Sequence, residues 1–161
     1  MALIGADALR DRACGALLGL AVGDALGTTL EFKPKDSYEP LSDVVGGGPF
    51  RLKPGEWTDD TSMALALGHS LLERGKLDER DLMERFCAWA EEGEYSHNGR
   101  CFDIGNTVRG ALTRFRRTGN PVAGSTDPQS AGNGSLMRLA PVSILYAFDT
   151  EGRADVARRQ S

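Results

Sequence analysis

The sequence predicts an all-α protein, and three observations predict it. Apolar residues recur three and four apart, as in Met63, Leu67 and Leu71 or Val108, Leu112 and Phe115, which is the spacing of one helix face. No segment of useful length alternates apolar and polar residues, as a half-buried strand must. Carboxylates and hydroxyls stand ahead of the periodic stretches, where they satisfy the first N–H groups of a helix.

The first element is a helix through the apolar run Ala13 to Val22. Leu9, Ala13, Leu17 and Leu20 form its stripe, and Gly15, Gly19, Gly23 and Gly27 recur every four residues. Small residues at that spacing leave a shallow face, so Gly15 and Gly19 are expected in tight core packing. Arg10 and Arg12 ahead of the run mimic a signal peptide, but Asp7 and Asp11 occupy the region that would be basic. Asp24 interrupts the run well before it reaches bilayer length. A buried helix is expected, and no membrane. It closes on Gly23-Asp24-Ala25-Leu26-Gly27, a bend delivering a carboxylate, and Glu31 follows between Leu30 and Phe32.

No period survives from about 32 to 57. Pro34, Pro40, Pro49 and Pro54 with Gly46-Gly47-Gly48 predict a long irregular loop, a feature that inside compact domains is often functional. Helices are then expected over 59–73, 81–91 and 104–116. A further one opens near Ser135 and is bent or ended by Pro141, and Asp149-Thr150-Glu151 caps the start of another.

Composition sets outer limits. The 161 residues are 40% apolar and 26% charged, enough for one soluble domain with a core. A net charge of −4 argues against a surface built to hold nucleic acid, and Arg114, Arg116 and Arg117 read as a solvated helix end. Cys14, Cys87 and Cys101 are odd in number and lack C-x-x-C spacing, so neither a disulfide framework nor a zinc site is implied. A reducing cytoplasm fits best.

Chemistry gathers where polar residues break the pattern. In E-W-T-D-D-T-S-M, Thr58 reads as an N-cap with Asp59 and Asp60 in the first turn, favoured by the helix dipole. The same three oxygens at a helix terminus also suit Mg²⁺, Mn²⁺ or Ca²⁺, and the two roles are compatible. Glu31 is either a surface residue or an active carboxylate. Asp103, in C-F-D-I-G-N-T, is either a cap or an active carboxylate at another helix start. Gly132, Asn133, Gly134 and Ser135, in G-N-G-S-L-M-R, are either a simple cap or an array of N–H groups for an anion.

Taken together, G-A-L-L-G-L-A-V-G-D-A-L-G-T-T-L-E-F, W-T-D-D-T-S-M-A-L, C-F-D-I-G-N-T and G-N-G-S-L-M-R-L-A-P, in this order, resemble the ADP-ribosylglycohydrolase family, most nearly its bacterial branch that acts on dinitrogen reductase. The resemblance runs from about Arg12 to Tyr146. It implies an orthogonal all-α fold with two divalent cations, Mg²⁺ or Mn²⁺, at the base of an ADP-ribose cleft. By position, it makes Thr58, Asp59 and Asp60 metal ligands and puts Glu31 near the metal and the scissile bond. It puts Asp103 in the distal-ribose and leaving-group region and lines the diphosphate cleft with Gly132, Asn133, Gly134 and Ser135. The substrate it implies is an ADP-ribosylated protein or small conjugate. Arginine is the favoured acceptor, with serine, O-acetyl-ADP-ribose and nucleic-acid adducts still open.

The resemblance also implies a second cluster of Asp-x-Asp-Thr type closing the metal site, and none follows Tyr146. Residues 1–161 are therefore expected to be the N-terminal portion of a single domain about twice as long, with a C-terminal half as partner, weak metal binding and no hydrolysis alone. Two other functions stand beside hydrolysis: an ADP-ribose-binding module without turnover, and a plain helical interaction domain.

Overall fold

The computed structural model describes residues 5–161. Every regular element among them is helical: α1 (Ala6–Gly27), a 3₁₀ turn (Thr28–Leu30), α2 (Asp59–Arg74), α3 (Glu79–Glu92), α4 (Asn106–Thr118), a second 3₁₀ turn (Pro128–Ser130), α5 (Gly134–Met137), α6 (Ala140–Leu145) and α7 (Thr150–Arg159). The all-α expectation holds. The chain forms two compact units, Met1–Trp57 and Thr58–Ser161.

In the first unit α1 forms as expected, but it is not buried. Ala25 is its one buried residue, while Leu17, Leu18 and Val22 are 43, 65 and 55% exposed. A Cβ added at Gly15 or Gly19 would meet nothing within 4 Å, so the stripe of small residues receives no close backbone. The physical reason is supply. A helix of 22 residues is about 33 Å long, and the unit offers it one three-residue turn as a regular neighbour. The helical stretch Ala6–Leu30 is also long and apolar enough to cross a membrane, which corrects the length expected from the apolar run alone.

The loop is irregular as expected, and its three glycines have a specific task. Gly47 and Leu52 exchange both backbone hydrogen bonds, at 2.7 and 2.9 Å, and Thr29 Oγ1 donates to the Gly46 carbonyl at 3.0 Å. Gly48 lies so close to the 3₁₀ turn that a Cβ would stand 2.4 Å from the Thr28 carbonyl oxygen. Its φ of 66° is also one that side chains resist. Glycine here lets the loop clamp directly onto the turn preceding Glu31.

The second unit holds the core. Met63, Leu67 and Leu71 of α2, Leu82, Phe86 and Trp89 of α3, Leu112 and Phe115 of α4, with Val142 and Val156, form one buried cluster. α2 packs against α3, α5 and α6, α3 against α4, and α6 against α7. The helices stop where left-handed Gly75, Gly93 and Gly119 turn their amides back to Leu71, Trp89 and Phe115. Asp78 caps α3 by accepting from Asp81 N, and Asp149 caps α7 by accepting from Gly152 N. The expected starts shift accordingly: α3 opens at Glu79 and α4 at Asn106, leaving Ile104 ahead of its helix. Pro141 does not end a helix; it stands in the first turn of α6, where its missing N–H is not needed.

One polar network is built into this unit. Asp81 is buried and accepts from Arg74 Nε and Nη2 at 3.0 and 2.6 Å and from Arg85 Nε at 2.7 Å. Arg85 in turn donates to Tyr95 and Glu73 at 2.9 and 2.6 Å. Burial alone pushes the Asp81 carboxyl up. The hydrogen bonds from Arg85 and Arg74 outweigh it and hold the group well below the usual carboxylate range.

Candidate active site

Thr58 stands at the N-cap position of α2, yet its side chain makes no capping bond. Its hydroxyl donates instead to Asp59 Oδ1, at 3.3 Å and away from solvent. Thr58 and Asp59 are only 4 and 8% exposed, and Asp60 is half-buried. A cap would turn this hydroxyl toward the helix N–H groups; here it faces a carboxylate. The T-D-D-T segment therefore concentrates hard oxygens at the positive end of a 16-residue helix.

In the C-F-D-I-G segment, Cys101 and Ile104 pack against the helical core. Burial pushes the Cys101 thiol up, and the negative charge of Asp59 adds to that against a smaller pull from Arg109. Asp103 is half-buried with φ of 59°, a left-handed conformation that Asp tolerates better than most residues. It sits three residues ahead of α4, with Gly105 in the cap position, so it is a loop carboxylate rather than a cap.

Gly132, Asn133, Gly134 and Ser135 lean on the first turn of α4. Thr107 Oγ1 donates to the Ser130 carbonyl at 3.3 Å, and a Cβ at Gly132 would come within 3.3 Å of the same hydroxyl. Gly132 and Asn133 are exposed, Gly134 and Ser135 half-buried. The helix they open is a single turn, so any anion held here meets individual N–H groups more than a helix dipole.

Arg138 was not singled out by its sequence context, and the structure gives it a distinct place. It is 6% exposed, with Nε donating to Gln160 Oε1 at 2.8 Å and Nη2 to the Gln160 carbonyl at 2.6 Å. Its guanidinium lies 4.8 Å from the Phe86 ring centroid and its Nη1 reaches Met63 Sδ at 3.9 Å. Burial lowers its pKa to about 10. Gln160 also donates to the Ser135 carbonyl, and Ser161 bonds Ser135 Oγ. Arg138 thus ties the G-N-G-S turn to α7 on one side and to α2, one helical turn past Asp59, on the other. A single Arg inside the apolar stretch L-M-R-L-A-P-V was the available signal.

Glu31 belongs to the first unit. It is half-buried in a turn in which Lys33 N donates to the Leu30 carbonyl at 3.0 Å. Among the described residues, no three His, Cys, Asp or Glu side chains gather as a metal cluster. The second unit thus carries T-D-D-T, C-F-D-I-G and G-N-G-S-L-M-R, with α5 packed against α2 and Gly132 close to Thr107 of α4. Chemically, these segments offer hard oxygens, a loop carboxylate and backbone N–H donors.

A family model described as ADP-ribosylglycohydrolase matches residues 5–161. The chain is 56% identical over 134 residues to ADP-ribosylarginine hydrolase Tri1 of Serratia proteamaculans, a match covering 83% of this chain and 36% of that one. It is 44% identical over 140 residues to ADP-ribosyl-[dinitrogen reductase] glycohydrolase of Rhodospirillum rubrum, covering 84 and 45%. A solved structure titled ADP-ribosylglycohydrolase-related protein complex superposes with a TM-score of 0.80 at 46% identity, covering 94% of this chain and 48% of that one. The chain therefore spans a third to a half of the length of these proteins.

Proposed function

Because the chain belongs to the ADP-ribosylglycohydrolase family, we propose that it is the N-terminal part of a hydrolase that cleaves the glycosidic bond between ADP-ribose and a modified acceptor. Arginine on a protein is the acceptor this reading favours, since similar proteins are named for ADP-ribosylarginine and for dinitrogen reductase. The observation that carries it is the buried Thr58–Asp59 pair, a hydroxyl spent on a carboxylate at a helix start where a cap was available.

The donor set fits hard divalent cations. Thr58, Asp59 and Asp60 supply oxygens alone, the chemistry that Mg²⁺ and Mn²⁺ select. When bound, such cations would draw charge from the ribose oxygens and make a bound water more acidic. Glu31 takes a proton from the attacking water as that oxygen bonds to the ribose anomeric carbon. The carbon–nitrogen bond to the acceptor breaks, and the acceptor nitrogen keeps the electron pair and receives a proton. Asp103 takes the base role if Glu31 does not have it. Backbone N–H groups at Gly132 to Ser135 hold the diphosphate.

Three ligands on one segment cannot fill the shells of two cations, so the remaining ligands come from a C-terminal part of the same enzyme. That part would also cover the exposed apolar surface of α1. The free thiols Cys14, Cys87 and Cys101 agree with a reducing cytoplasm. A second reading, an ADP-ribose binder without turnover, is favoured by the lack of a gathered metal cluster among the described residues.

Glu31→Gln in the completed enzyme separates the two. A base acts on the transition state, so turnover of ADP-ribosylarginine is expected to fall about 100-fold or more while calorimetry shows ADP-ribose affinity within about threefold. Equal losses in both would make Glu31 a binding residue and pass the base role to Asp103. An enzyme that binds ADP-ribose but turns nothing over before mutation would establish the binder instead.

A further inference from the structure

In the first unit an aromatic side chain stands where the backbone asks for glycine. Glu31 has φ −57° and ψ 141°, Phe32 has φ 61°, and Lys33 N donates to the Leu30 carbonyl. These are the marks of a type II turn, whose third residue is ordinarily Gly or Asn. A bulky residue at positive φ is strained and persists where its surroundings or its function hold it.

Core packing does not explain it, because Phe32 is 77% exposed. Its ring is nonetheless steadied. The Phe50 ring sits edge-on to it, with centroids 6.3 Å apart and planes at 71°. Phe50 lies inside the short turn closed by the Gly47–Leu52 bridge, and that turn is clamped to the Thr28–Leu30 element through Gly48 and Thr29. The three glycines, the bridge and the strained turn thus fix one open aromatic face next in sequence to Glu31.

That face and that carboxylate share an electrostatic character. The face of a π-system is negative, and the residue before it in sequence, Glu31, is an acidic one. A flat, weakly hydrated cation suits both, and a guanidinium is the side-chain cation that stacks on rings best. We infer that Phe32, steadied by Phe50, is the specificity contact for the acceptor, its ring taking the guanidinium of the arginine from which ADP-ribose is cut. This rests on the proposed hydrolysis beside Glu31. It goes further in naming which residue chooses arginine over a neutral acceptor.

The test is a binding measurement on the 161-residue chain. Aromatic NMR signals of Phe32 and Phe50 are followed while N-acetyl-arginine amide, its neutral isostere N-acetyl-citrulline amide and, separately, ADP-ribose are added. Both rings are expected to shift with the arginine amide, at an affinity at least about fivefold above that for the citrulline amide. Phe32→Leu and Phe32→Gly should erase the preference, the latter in a turn that glycine fits without strain, and Phe32→Trp should keep or strengthen it. Equal shifts with arginine and citrulline amides, or a preference unchanged by Phe32→Leu, would overturn the inference. So would ADP-ribose shifts centred on the Phe32 ring, which would make it a base-stacking platform. Arginine preference without any ADP-ribose binding would support the Phe32 contact and count against Gly132 to Ser135 as the diphosphate site.

Discussion

The two units of this chain carry comparable apolar helices and treat them in opposite ways. In Thr58–Ser161, α2 buries Met63, Ala66 and Leu67 completely and α3 buries Trp89 to 1% exposure. In Met1–Trp57, α1 is richer in apolar residues along its length and buries Ala25 alone. The second unit closes its core with caps, left-handed glycines and an ion-pair network. The first is held by backbone clamps around a glycine-rich loop. Apolar composition specifies that a helix be covered, and it leaves open what covers it.

The comparison breaks most visibly in the core of the second unit. Trp89→Ala is expected to cost about 3–5 kcal/mol, a large part of the stability of a domain this size, and to unfold the chain at a temperature where the parent is folded. Thermal melting followed by circular dichroism reads it. A loss under about 1 kcal/mol would mean that α3 is not packed as described.

Next in size is the Asp81 network. Its folded pKa lies below that of the free residue, so the unfolded chain takes up the proton first as pH falls. The stabilisation is complete above about pH 4 and drains away as acid approaches the lower folded value. Asp81→Asn leaves the buried side of Arg85 without its carboxylate and is expected to cost about 3 kcal/mol at pH 7. The difference between parent and variant should shrink below pH 4. Denaturant midpoints at pH 7 and pH 3 check this, and a difference that does not change with pH would remove Asp81 as its source.

The smallest effect sharpens the contrast. Leu18→Ala on exposed α1 should change the stability of residues 1–161 by no more than about 0.5 kcal/mol. The same substitution in an enzyme completed by its C-terminal part should cost about 2 kcal/mol or more, once Leu18 is covered. Equal effects in both settings would leave α1 uncovered in the whole protein.

The sequence announced what periodicity can carry. Met63, Leu67 and Leu71 marked α2 because burial on one helix face repeats every three to four residues, and Asp149 marked α7 because caps are local chemistry. Ligand candidates at 58–60 were legible for the same local reason. Other features depend on partners distant in sequence or on backbone angles, and side-chain patterns do not encode these. Arg138 is buried because Gln160, 22 residues on, satisfies it. Phe32 is strained because of a turn geometry that its neighbours in sequence do not display. Pro141 reads as a bend or a stop until the preceding turn is known.

The most direct measurement is an assay of ADP-ribosylarginine cleavage with Mg²⁺ or Mn²⁺ in three settings: residues 1–161 alone, the same residues co-expressed with the region that follows the matched segment in a similar full-length hydrolase, and that pairing with Asp59→Ala. The expected result is no turnover from the chain alone, turnover from the pairing, and a loss of at least about 1,000-fold with Asp59→Ala while the fold survives. Robust turnover from a monodisperse chain of 17.3 kDa, or a pairing indifferent to Asp59→Ala, would contradict the assignment of T-D-D-T as half of a divalent-cation site.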